Sequence, residues 1–554
     1  MSAAITRHFV TVGGRRIHYR RVGEGPALAM LHASPRSATE LRPNQEVFAG
    51  RFTTLAFDTP GFGLSDLLPL AQPETEDLAD ALAETLDALG VGQVAVYGRH
   101  TGASVAVEFA ARHGNRCAMA LTNGFPIYSK AQQQDRLTRY LNPIVPSFAG
   151  EHLLWLWYRF RDQHVFWPWH EHDLAHRANA EVPDLATLHR GVMEFLEAGD
   201  NYRIGYATAF RHRGLDALPD LKVPVCFGNR RSDSIFKTMS LYPPEAWTQE
   251  MPAETLAAAR AELAVLLRHP AKGEVPAPPP TNAIAGRTTL DFVAVDGVQV
   301  LTRSMGDLSA GNVLMLLHRL PGSSALYDEM ITTLGARRPV LALDLPGHGE
   351  SDAPPEATAS IEAAAGWVLR VLDALNLGTV SLYGHQGGAS VAIEVALRQP
   401  QRVHALALDA PVALPAVPRE QIGARWLEGV APLTPVWNGD HLLRAWHMRR
   451  DMELWFPWND RRPATARKHA PRIDPAALTL ELREVMKQPE SFAPAWRAVW
   501  SYPTRERLAL TTQPCLLLAN SSDVFAPWID EAAAVRPDAR LFRDADPTEA
   551  LRDF

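Results

Sequence analysis

The sequence of this chain repeats itself. FVTVGGRRIHY from Phe9 resembles FVAVDGVQVL from Phe292, and LAFDTPGFGLSD, which contains Asp58, resembles LALDLPGHGESD, which contains Asp344. VAVYGRHTGASVAVEFA is matched by VSLYGHQGGASVAIEVA. Further on, GEHLLWLWYRFRDQHVFWPW from Gly150 is matched by GDHLLRAWHMRRDMELWFPW from Gly439. The pairs His32 and His318, Asp58 and Asp344, and His100 and Gln386 are each 286 positions apart. Matched blocks in one order at one spacing indicate duplication of a whole folding unit. A length of 554 residues accommodates two such units. The stretch AKGEVPAPPPTNAIAGR lies between them. Its proline run cannot continue a helix or a central strand and reads as a semi-rigid spacer. The expected division is a first domain over residues 1–270, a linker over 271–288 and a second domain over 289–554.

Within each half, apolar β-branched strands alternate with helical segments. This is the pattern of a mostly parallel sheet covered on both faces. ALAMLHA and NVLMLLH read as strand-then-loop units, and QVAVYG and TVSLYG as buried strands that stop at glycine. Each half then inserts a stretch rich in Trp and Arg before the strands VPVCFGN and QPCLLLAN. These insertions, near residues 128–215 and 415–505, read as helical caps.

The motifs inside the repeats carry a resemblance. Each half has His-x-x-x-Pro after a strand, from His32 to Pro35 and from His318 to Pro321. Asp-x-Pro-Gly-x-Gly-x-Ser follows, and then Gly-x-x-x-Gly across a strand–turn–helix. Taken together, twice over, these resemble the α/β-hydrolase superfamily. The resemblance implies a fold class of two tandem α/β domains, each a mostly parallel sheet with a helical cap. In that family the centre of the Gly-x-Ser-x-Gly elbow is the nucleophile. Here the glycines remain as Gly98, Gly102, Gly384 and Gly388, while the central residue is His100 in the first half and Gln386 in the second.

The family's base is missing as well. No histidine lies between Asp233 and His269, and the last strand of the second half runs straight into Asp546-Pro547. The acid is better kept, as Asp233 and Asp523, with Asp409 at a second position that some family members use.

Serine esterase chemistry needs an activated hydroxyl, so neither elbow supports it. An imidazole can serve as base, acid or nucleophile near neutral pH. The expected catalytic pair is therefore His100 with Asp233. By the resemblance, the oxyanion donors are the backbones of Ala33 or Ser34 and of Thr101. A glutamine amide does not titrate, so the second half reads as a binding half, through Gln386, Asp409, Asp523 and His318. Trp155, Trp157, Trp167 and Trp169 are candidates for lining the first cap.

Two functions follow. One is an atypical enzyme acting on a small hydrophobic or aromatic carbonyl compound, in a lyase-, isomerase-, dioxygenase- or hydrolase-like reaction. The other is a degenerate pseudohydrolase that binds a small molecule or a protein. No cofactor or metal site is expected, because Cys117, Cys226 and Cys515 lack ligand spacing. A net charge of -7 speaks against nucleic-acid and anionic-membrane partners. No run approaches the roughly 20 apolar residues of a membrane span, and the cytoplasm is the expected compartment. A small-molecule ligand and pairing of the two domains within the chain are the expected associations, with a homo-oligomer left open.

Overall fold

The structure is a computed structural model that describes residues 4–178, 180–356, 360–552 and 554. It divides into two compact units. Unit 1 comprises Met1–Val145 and Trp155–Asn282, and unit 2 comprises Pro146–Leu154 and Ala283–Phe554.

Unit 1 holds an eight-stranded sheet. Its strands are β1 (Thr6–Val12), β2 (Arg15–Val22), β3 (Ala27–Leu31), β4 (Thr53–Phe57), β5 (Val94–Arg99), β6 (Cys117–Asn123), β7 (Val225–Arg230) and β8 (Trp247–Met251). They are ordered β1-β2-β4-β3-β5-β6-β7-β8. β2 runs antiparallel to both of its neighbours, and the remaining pairs are parallel. Parallel strands buried on both faces need unbroken apolar runs. Ala27–Leu31 and Thr53–Phe57 are accordingly buried at every position. Helices cover both faces, with Leu78, Val105 and Phe109 in one core layer and Leu28, Phe48 and Leu266 in the other.

Unit 2 repeats this sheet with β9 (Thr289–Val295), β10 (Val298–Met305), β11 (Val313–Leu317), β12 (Val340–Leu343), β13 (Val380–His385), β14 (Val403–Asp409), β15 (Cys515–Ala519) and β16 (Arg540–Arg543). The order is β9-β10-β12-β11-β13-β14-β15-β16, which is the same topology. The caps also correspond. Asp184 caps the helix Leu185–Ala198 through the Thr187 N–H, and Asp474 caps Pro475–Met486 through the Ala477 N–H.

Asp58 and Asp344 brace the loops that carry them. Asp58 accepts from the N–H groups of Ala38 (2.7 Å) and Leu64 (2.9 Å) and from His18 Nδ1 (2.7 Å). Asp344 accepts from the N–H groups of Ser324 (2.7 Å) and Glu350 (2.9 Å). Among the described residues no helix is long and apolar enough to cross a membrane.

Candidate active site

In unit 1 the chain leaves β5 at Arg99 and starts a helix at Thr101, so His100 must make the whole turn. It does so at φ 45° and ψ -106°, a region that side-chain-bearing residues rarely occupy. Three backbone segments converge there. A Cβ on Gly98 would run into the Gly102 carbonyl, and one on Gly102 would run into the Leu31 carbonyl. The His100 N–H donates to the Asn123 carbonyl at 3.1 Å. The strained elbow therefore survives without the residue for which it is usually built.

The His100 ring meets the acid that follows β7. Its Nε2–H donates to Asp233 Oδ2 at 2.8 Å, while Asp233 Oδ1 accepts from the Ile235 N–H at 2.9 Å. Burial would raise the Asp233 carboxyl, but His100, the Ile235 N–H and Arg99 hold it below the usual carboxylate range. In a neutral imidazole, an ionised Asp233 selects the tautomer with the proton on Nε2 and the lone pair on Nδ1. The imidazole is 28% exposed and its partner 11%. His269 follows the helix Thr255–Leu266 and packs against Trp247, with ring centroids 6.3 Å apart.

The oxyanion loop differs from expectation at Ala33. Its N–H donates to Glu40 Oε2 at 2.9 Å, and Glu40 is paired through Oε1 with Arg99 at 3.2 Å. Burial alone would push Glu40 up, yet Arg99 and Arg36 keep it ionised. A charged carboxylate holds an N–H strongly, so Ala33 is removed as a donor. Ser34 and Thr101 remain. The Ser34 N–H reaches Thr101 Oγ1 at only 3.4 Å, at the outer limit of a hydrogen bond. Glu40 carried no recognisable spacing signal in the sequence.

The cap tryptophans are mainly cap core. Trp157 is fully buried, which corrects its assignment as a lining residue. Trp167 packs on Tyr140 at 5.4 Å, and the Trp169 indole N–H donates to the Tyr140 carbonyl at 3.1 Å. Trp155 is half-buried and meets Trp169 edge-on at 6.4 Å. Sequence reasoning missed two cap residues. His164 is neutral: burial, aided by Arg36 and Arg99, takes it down to about 4, and its Nε2 is buried without a partner. Arg159 is fully buried among aromatic rings.

Unit 2 keeps the same elbow, with Gln386 at φ 49° and ψ -112°. Gln386 Nε2 donates to Asp523 Oδ2 at 2.8 Å. His385 also bonds Asp523, at 2.9 Å, and its Nδ1 lies 3.0 Å from the Tyr327 hydroxyl. Burial pulls His385 down, but Asp523 and Asp409 more than offset it and raise it above its ordinary value. A cavity opens over Gln386. Its polar wall is Arg319, Arg449, Glu453, Glu481 and Asp523, and its apolar wall includes Met448, Met452 and Phe492. Arg319 pairs with Glu481 at 2.7 Å, and Arg449 pairs with both Glu481 and Glu453. Burial would raise Glu481, but the two guanidinium groups take it down to about 2.

Two residues expected in this binding site lie elsewhere. His318 is buried with both nitrogens used: Nδ1–H donates to the Arg319 carbonyl at 2.7 Å, and Nε2 accepts the Leu345 N–H at 3.0 Å. It braces the loop, as His32 does between the Ala33 carbonyl and the Thr59 N–H. Asp409 accepts the Tyr383 hydroxyl at 2.7 Å, is raised by burial, and is absent from the cavity wall.

Asp135, His170 and Glu171 lie close enough together to share a metal ion. Asp135 is already bound by Arg136 and Arg139, however, and this local positive charge opposes a cation.

A family model described as the alpha/beta hydrolase fold matches residues 26–152 and 312–435. A soluble epoxide hydrolase of Corynebacterium sp. is 36% identical over 110 residues, which are 20% of this chain and 38% of that protein. The dihydrolipoyllysine-residue acetyltransferase component of an acetoin cleaving system from Cupriavidus necator is 33% identical over 121 residues, 22% of this chain and 32% of that one. The matches thus span about a third of these relatives' length. Among solved structures, the enol-lactonase from Burkholderia xenovorans is 20% identical with a TM-score of 0.35, covering 47% of this chain and 94% of that one.

Proposed function

We propose, for a chain that belongs to the α/β-hydrolase superfamily and carries that fold twice, that the first copy is an enzyme working through histidine. The substrate is a small hydrophobic or aromatic molecule with a carbonyl group. The observation that carries this reading is the 2.8 Å bond from His100 to Asp233 on a strained elbow. The elbow conformation is shared with Gln386, so what supports a working first copy is that here the elbow carries a titratable imidazole backed by a carboxylate.

In this mechanism Asp233 stays ionised and holds Nε2–H, so Nδ1 is the working nitrogen. Nδ1 either takes a proton from the substrate or a water molecule, or attacks the carbonyl carbon directly. The positive charge that then develops on the ring is stabilised by Asp233. Negative charge on the carbonyl oxygen falls to the N–H groups of Ser34 and Thr101. The weak Ser34–Thr101 bond gives way without large cost, whereas the Ala33 N–H stays with Glu40.

Gln386 cannot take a proton, and its amide is tied to Asp523. The cavity above it supports a binding role for unit 2.

The test is hydrolysis of nitrophenyl esters by the full chain and its variants. His100→Ala should abolish the rate above buffer, by about 10² to 10⁴. Gln386→Ala should leave it within about twofold. Equal loss from both substitutions, or loss from Gln386→Ala alone, contradicts the assignment.

A further inference from the structure

Arg159 is a buried cation that no carboxylate of the described residues neutralises. One nitrogen, Nη1, donates to Gln163 Oε1 at 2.9 Å. Nε and Nη2, on the side edge of the guanidinium, are buried without a partner. Three rings surround the group: Tyr140 at 4.5 Å, Trp169 at 4.8 Å and Phe195 at 5.5 Å from its central carbon. Aromatic faces offset part of the cost of burying a cation. They leave the two N–H groups unsatisfied, and a buried unpaired charge is among the costliest features a fold can carry.

The duplication shows where this cation sits. In the matched cap blocks, Gly150 aligns with Gly439, so Arg159 takes the place of Met448, Gln163 that of Met452 and His164 that of Glu453. In the following helices the N-caps Asp184 and Asp474 correspond, and Glu194 and Glu484 both bond the loop serine, Ser37 and Ser323. That register sets Phe195 opposite Val485. In unit 2, Met448, Met452, Glu453 and Val485 all line the cavity above the elbow. Arg159 and its neighbours therefore hold, in unit 1, the positions whose counterparts line the unit 2 cavity.

We infer that unit 1 binds an aromatic carboxylate, gripped by the Nε–H and Nη2–H of Arg159 beside Trp169, the half-buried ring of its cage. The side edge of a guanidinium presents two parallel donors that match the two oxygens of a carboxylate. Arg36 and Arg99, the cations that act on His164 one turn further along the cap, are already paired with Glu194 and Glu40, so Arg159 is left to meet a monoanion. This inference rests on the reading of His100 as the working centre: the carboxylate anchors the molecule and leaves its carbonyl for the elbow.

Binding of phenylacetate to the full chain, read by calorimetry and melting temperature, tests it. The wild type should bind phenylacetate, and methyl phenylacetate and phenylethylamine should bind at least about tenfold more weakly. Arg159→Met, which installs the unit 2 residue, should lose the phenylacetate response and melt at the same temperature or higher. Arg159→Lys keeps the charge but not the fork, and should lose about tenfold or more in affinity. This variant decides the matter if Arg159→Met fails to fold. His100→Ala should bind phenylacetate as the wild type does. Catalysis and carboxylate recognition can therefore fail separately: an unchanged ester rate in His100→Ala sinks the mechanism and leaves the anchor standing. The anchor is overturned by a wild type that ignores phenylacetate, by equal binding of the methyl ester, or by undiminished affinity in the folded Arg159 variants.

Discussion

His100 occupies a backbone conformation that costs on the order of 1–3 kcal/mol for a residue with a side chain, and it adds little to the hydrophobic core. His100→Ala should therefore change unfolding free energy by less than about 1 kcal/mol in denaturant titrations while removing turnover. Asp233→Asn keeps the shape but loses the charge that orders the ring, and should cost about 10² to 10⁴ in rate. His164 makes a separate prediction through pH. It is taken down to about 4 in the folded chain, from an ordinary value of 6.5. Between those values the unfolded chain binds a proton and the folded one does not. The contribution of this group is thus complete above pH 6.5 and is lost as pH falls towards 4. His164→Asn should flatten the decline of stability over that window, and an unchanged slope would place the buried imidazole elsewhere. The identity of the elbow residue and its acid was legible in the sequence, because both sit at fixed offsets from strand ends. The capture of the Ala33 N–H by Glu40 was not, since it depends on Arg99 arriving from another strand.

At the scale of elements, the strand–elbow–helix unit depends on backbone approaches that permit no side chain at Gly98 and Gly384. Gly98→Ala and Gly384→Ala should each destabilise their unit by several kcal/mol or prevent folding, as measured by denaturant unfolding. The helix caps are milder tests: Asp184→Ala and Asp474→Ala should each cost about 1 kcal/mol. Strands and elbows could be read directly because burial on both faces forces continuous apolar runs ending at glycine. The caps could not be read this way. Aromatic residues at helical spacing look alike whether they pack inward or face a ligand, and only the contacts of Trp157, Trp167 and Trp169 separate the two.

Over the whole molecule, duplication preserved the scaffold while the two sites diverged in charge. Where unit 1 has Arg159, Phe160 and His164, unit 2 has Met448, Arg449 and Glu453, so the cation moved one position along the cap helix and gained carboxylate partners. The architecture was legible because matched blocks are compared with each other rather than with an external standard. This divergence was also present in the aligned caps, but it acquires meaning only once pairing and burial are known. In the proposed mechanism, chemistry in this chain runs through an elbow histidine and not through a serine. Ser65 and Ser351 are buried loop braces whose hydroxyls accept from the N–H groups of His18 and Leu301. Treatment of the full chain with a fluorophosphonate, followed by peptide mass spectrometry, reports any activated serine directly. The expected result is no stoichiometric serine adduct, because no serine of the elbows is present to transfer its proton to a base. Stoichiometric labelling of a single serine would show that a serine, not His100, is the activated group.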